Sequence, residues 1–76
     1  MSATTSVVAR CLLRDLRESR GLTQQQLADR VGMSKSTISG YENLRNIMLV
    51  TTAKVIADEL RCRIDDLYEW LEVDHR

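Results

Sequence analysis

Between Lys35 and Gly40 the chain reads Lys-Ser-Thr-Ile-Ser-Gly, and helical spacing puts Ile38 and Tyr41 together on one apolar face. The outward edge then carries an ammonium at Lys35, hydroxyls at Ser36, Thr37 and Ser39, and bare backbone at Gly40. These groups suit the rims of nucleobases. Lys35 can donate to guanine O6 or N7, Ser36 and Thr37 can bond several bases, and the Thr37 methyl fits thymine. Gly40 in mid-helix costs about 1 kcal/mol relative to Ala, so it either permits close approach of backbone to a ligand or is merely tolerated. Catalysis has little support: no nucleophile stands beside a candidate base, no carboxylates pair in a pocket-forming pattern, and no Gly-rich phosphate loop occurs. No cofactor is expected. Cys11 and Cys62 lie far apart without CxxC spacing and His75 is the one histidine, so a metal site would lack ligands; both thiols read as small reduced hydrophobes.

Two short amphipathic helices must position that edge. Leu27, Ala28 and Val31 share one face of the first. Gly32 sits where a helix ends in a left-handed residue, and Ser34 is an N-cap that restarts helix at Lys35. The pair should form a helix-turn-helix, with small Ala28 near the crossing and branched Ile38 filling the angle. Thr23 and Gln26 form a Thr-x-x-Gln capping box at the preceding start. Free N–H groups there attract anions, so Thr23 and Gln24 are candidate phosphate-binding residues, with Asn43 and Arg45 just beyond the second helix. Plain solvent exposure is the competing reading for Gln24, and helix termination for Asn43.

The remaining pattern predicts an all-α, compact five-helix domain. The first helix is expected over residues 7–19, with Ala9, Leu13 and Leu16 inward. The fourth is expected over residues 50–60, with Ala53, Ile56, Ala57 and Leu60 inward. A fifth begins near Ile64, with Asp65 and Asp66 in its first turn, and runs through Leu67 and Leu71. Residues 1–6 and 73–76 are expected to be tails around a domain at 7–72. The 76 residues suffice for one core and are too few for a second sensing or catalytic domain.

The stretch from Gln24 to Asn43 resembles the helix-turn-helix of the Cro and lambda-repressor type, often called Xre-like, and the flanks Leu13 to Gln24 and Lys54 to Leu67 extend the likeness. The resemblance implies a short solitary bacterial or phage transcriptional regulator. Such a protein would read double-stranded DNA with its third helix, as a homodimer on a palindromic operator, and repression would be the simplest outcome. It further implies that Gln24 and Asn43 hold the DNA backbone, and that Arg17 pairs with Glu42 as a structural brace. The chain departs from the pattern after Asn43. Where related chains have a polar loop, this one has Leu44 and then the apolar run Ile47, Met48, Leu49, Val50. Ile47 and Leu49, with Tyr68, Trp70 and Leu71, are the expected dimer contact, against a reading in which they fill the core.

A net charge of zero argues at first against nucleic acid. Its distribution argues the other way. Residues 1–46 carry seven cationic side chains against four acidic, and residues 47–76 carry four against seven. That asymmetry would orient the chain on a polyanion, although two ordinary solvated faces would look the same. No apolar stretch spans a bilayer and no leader is evident, so a cytoplasmic, nucleoid-associated protein is expected, with no membrane and no small-molecule ligand. A different class of reading remains open: the same fold could serve as an antitoxin-like or adaptor module that binds protein.

Overall fold

Caps and glycines set the helical boundaries in the middle of the chain. The computed structural model describes residues 4–74. The elements run β1 (Thr4–Cys11), α1 (Leu13–Ser19), α2 (Gln24–Val31), α3 (Lys35–Glu42), α4 (Val50–Leu60), a 3-10 turn (Ile64–Leu67) and β2 (Tyr68–Asp74). Thr23 accepts from the Gln26 N–H while Gln26 accepts from the Thr23 N–H, so the capping box is complete. Gly32 takes φ 71°, ending α2 in the left-handed conformation, and Ser34 caps α3 through the Thr37 N–H. The α4 helix has the expected bounds, and its four expected inward residues are all buried.

Both ends of the chain depart from the five-helix expectation. Residues 4–11 form a strand where residues 7–11 were expected to begin a helix, and the fifth helix is a single 3-10 turn that gives way to a strand. The described residues therefore form four α-helices and a two-stranded antiparallel sheet. The physical reason lies in side-chain type. Thr4, Thr5, Val7 and Val8 are β-branched, and Tyr68, Trp70 and Val73 are strand formers, so each segment suits a pleated surface. Val8 pairs with Trp70 and Cys11 with Tyr68 on the face that meets the body; Val7 pairs with Leu71 and Thr5 with Val73 on the other. Ala9, expected inward, is the extra residue of a bulge between Val8 and Arg10 and is exposed. Leu71, expected in the fifth helix, lies instead on the outer face of β2 and is exposed. Asp66 accepts from the Arg63 N–H at 2.9 Å, which helps start the turn, and Tyr68 then takes extended backbone and begins β2.

The core lies where the helices meet. Leu13, Leu27, Ile38, Ile56, Leu60 and Leu67 are its largest fully buried side chains. Ala28 of α2 is fully buried beside them. Fully burying one Leu or Ile contributes about 1.5–3 kcal/mol, which lets so small a domain hold together without a disulfide. Of the apolar run after α3, only Met48 enters this core. Its N–H donates to the Tyr68 hydroxyl at 3.1 Å, tying the loop to β2. Tyr68, expected at a dimer contact, is thus a core residue at 5% exposure. Cys11 and Cys62 are half-buried free thiols, and burial pushes both up from the ordinary thiol value. His75 lies outside the described residues. Among those described, no helix is long and apolar enough to cross a membrane.

Candidate nucleic-acid interface

The α3 helix is fastened at its C-terminal end by one buried carboxylate. Glu42 is completely enclosed, and Arg17 of α1 meets it with two nitrogens: Nε donates to Oε2 at 2.7 Å and Nη2 to Oε1 at 3.2 Å. Arg17 Nη1 also donates to the Leu22 carbonyl at 2.7 Å. Bidentate, charge-assisted bonds of this kind fix direction as well as distance. Arg14 Nε and Gln24 Nε2 converge on Oε1 as well, at 3.2 and 3.0 Å. Burial by itself raises the Glu42 carboxyl, yet the hydrogen bonds from Arg17, Gln24 and Arg14 outweigh it and hold the group below its ordinary value. The same contact raises the Arg17 guanidinium. The brace expected for Arg17 and Glu42 is therefore present as a contact, and it joins α1, α2 and α3 at one point.

Sequence reasoning missed two partners of that hub. Arg14 bridges to the end of α3, donating also to Asn43 Oδ1 at 3.3 Å, and Gln24 turns its amide onto Glu42. The signal for Arg14 was its three-residue spacing from Arg17, which puts both on one side of α1. Nothing in the sequence singles out the Gln24 contact, because it joins residues eighteen positions apart.

The outward edge of α3 is graded in exposure. Lys35 and Ser36 are exposed, Thr37 and Ser39 half-buried, and Gly40 buried. The Thr37 hydroxyl lies 2.8 Å from that of Ser34, and the Ser39 hydroxyl receives Asn43 Nδ2 at 3.2 Å and Arg45 Nη2 at 3.4 Å. Gly40 meets the chain's own loop: a Cβ there would come within 3.1 Å of Asn46 Nδ2, and its carbonyl accepts from the N–H groups of Arg45 and Asn46. Thr23 is exposed at the start of α2, with Gln24 half-buried behind it. Donors from Arg14, Gln24, Asn43 and Arg45 thus gather around the end of α3 through Glu42 and Ser39.

Of the other expected contact residues, Ile47, Leu49, Trp70 and Leu71 are exposed, at 56, 73, 47 and 55%. Trp70 packs edge-on against Tyr68, with ring centres 5.9 Å apart, and its Nε1 donates to the Asp65 carbonyl.

Comparison with known proteins agrees with this geometry. Residues 13–67 match the helix-turn-helix family. The chain is 34% identical over 64 residues to an uncharacterized HTH-type transcriptional regulator, YopS, derived from the SPbeta prophage of Bacillus subtilis, covering 83% of this chain and 86% of that one. It is 40% identical over 60 residues to an uncharacterized HTH-type transcriptional regulator of Methanothermobacter thermautotrophicus, covering 78% of this chain and 87% of that one. The matched segment holds the capped α2–α3 pair and the Glu42 hub within it, and the chain belongs to the Cro and lambda-repressor type of helix-turn-helix DNA-binding regulators.

Proposed function

We propose that this chain binds double-stranded DNA sequence-specifically, as a homodimer on a palindromic operator, and represses transcription by covering a promoter. The observation that carries this reading is the exposed Lys35–Ser36 corner at the start of α3, held at a fixed tilt by the four-way junction at Glu42. The N-terminal residues of a recognition helix are those that enter the major groove. Lys35 and Ser36 read base edges there, with Thr37 and Ser39 lower on the same edge. Gly40, covered by Asn46, gives α3 room against the loop. Phosphates are held on either side by the unpaired N–H groups at the start of α2 beside Thr23 and Gln24, and by Asn43 and Arg45.

Exposed apolar side chains offer two candidate surfaces for the second copy, the loop at Ile47 and Leu49 and the ribbon at Trp70 and Leu71. Selection of bound sequences from random duplexes tests the reading. It should return a two-fold symmetric motif with half-sites about one helical turn apart, roughly 34–36 Å. An unenriched pool would overturn it.

A further inference from the structure

Apart from Val55 on α4, the exposed large apolar side chains among the described residues lie in two places, the segment from Leu44 to Val50 and the two-stranded ribbon. We infer that the ribbon carries the dimer, through the open edge of β1, which pairs antiparallel with β1 of a second copy to make a four-stranded sheet. This deepens the homodimer reading above and rests on it. The molecule is 46 Å long but only 22 × 20 Å across. Only the proximal part of the ribbon packs on the body, through Tyr68, Cys11 and Val8. Beyond that, Thr4–Val7 and Leu71–Asp74 pair with each other and are exposed or half-exposed. A lone two-stranded sheet is marginal in water, and three or more strands with an apolar face are needed for independent stability.

The two edges differ in a way that selects the occupant. β2 carries Glu69, Glu72 and Asp74, the kind of charged rim that guards an edge against pairing. In β1 the six residues from Thr4 to Ala9 carry no charge and include four β-branched side chains, and Arg10 beyond them is paired with Glu69 at 3.1 Å. Pairing β2 with its own copy would set like charges opposite one another, whereas β1 against β1 meets none. Pairing β1 with the β2 edge of a second copy would be head-to-tail and would leave both outer edges open to further copies.

A two-fold axis perpendicular to the sheet at Val7 keeps each face on its own side. Val7 then meets Val7 of the second copy, and both are flanked by Leu71, giving a continuous apolar stripe in place of two isolated ones. With Ala9 set in the bulge, about four steps of roughly 3.4 Å separate Val7 from Leu12, so the two Leu12 positions, where each strand enters its helical body, lie roughly 27 Å apart.

Charge complementation at Val7 tests this on the full chain. Sedimentation at 1–100 µM, in order-of-magnitude steps chosen around the usual range for small dimers, should show the wild-type chain as a dimer. Val7→Glu and Val7→Lys should each raise its dissociation constant by about tenfold or more, with the melting temperature of the helical body retained. A one-to-one mixture of the two variants should restore the dimer. Leu49→Glu should leave it unchanged. Dimers that persist in Val7→Glu and dissociate in Leu49→Glu would overturn edge pairing while leaving the operator reading in place. A wild-type chain that is monomeric both free and on a selected palindrome would overturn both, and would leave the β1 edge for a strand of another protein.

Discussion

Arg17 Nε lies 2.7 Å from Glu42 Oε2, with both side chains nearly closed to solvent, and the same guanidinium holds the Leu22 carbonyl. One arginine therefore fixes α3 and the approach to α2 together. Removing it leaves Glu42 with Arg14 and Gln24 alone, so Arg17→Ala should cost about 3 kcal/mol, the low end for breaking a buried pair. In a domain of this size the melting temperature should fall by more than about 12 °C. Calorimetry at pH 7 measures it, and an unchanged melting curve would show that the pair braces nothing.

The Glu42 carboxyl also predicts a pH dependence. Its folded value lies below the unfolded one, which is near about 4.3. Its contribution is thus fully present above the unfolded value and is lost as pH falls through the folded value. The gap in melting temperature between the wild-type chain and Glu42→Gln should be large at pH 7 and should close progressively below about pH 4. A gap independent of pH would mean that the charge of Glu42 is not what the hub uses.

Ala28 sits fully buried on α2, in the core that also holds Ile38 of α3. Ala28→Leu adds volume where the core is closed, which should cost about 1–3 kcal/mol and tilt α3 away from its seat. DNA binding by this variant should weaken more than its stability loss accounts for. Equal affinity for a selected duplex at 10 °C, where the fold persists, would count against a fixed tilt.

Gly40 separates two roles. Asn46, whose amide a new Cβ would meet at 3.1 Å, is an exposed side chain that can move aside. Gly40→Ala should then be neutral or stabilising by up to about 1 kcal/mol, as helix propensity dictates. Gly40→Ala combined with Asn46→Ala should reach the upper end of that range. If affinity for DNA drops sharply while stability rises, the backbone at Gly40 touches the nucleic acid; equal affinity assigns its small size to the loop alone.

The middle of the chain was legible because its signals are local. Thr23, Gln26, Gly32 and Ser34 each act within four residues, and each does in the structure what its type and spacing predict. The ends were misread because pairing between β1 and β2 joins residues 57 to 70 positions apart, as Cys11 with Tyr68 and Thr4 with Asp74. Leu67 and Leu71 fit a helical four-residue spacing and an alternating strand equally well, and only the partner strand decides. The polar site shows the same division. Lys35 and Ser36 are exposed on the edge that Ile38 defines, whereas the convergence of Arg14 and Gln24 on Glu42 exists only once three helices meet.

On the proposed function, the corner at Lys35 and Ser36 reads base edges. Fluorescence anisotropy with a selected palindrome and a scrambled duplex, at fixed salt, tests it most directly for Lys35→Ala combined with Ser36→Ala. The account predicts an intact melting temperature, residual salt-dependent binding to both duplexes, and loss of the preference between them. A double variant that keeps the full preference would contradict it.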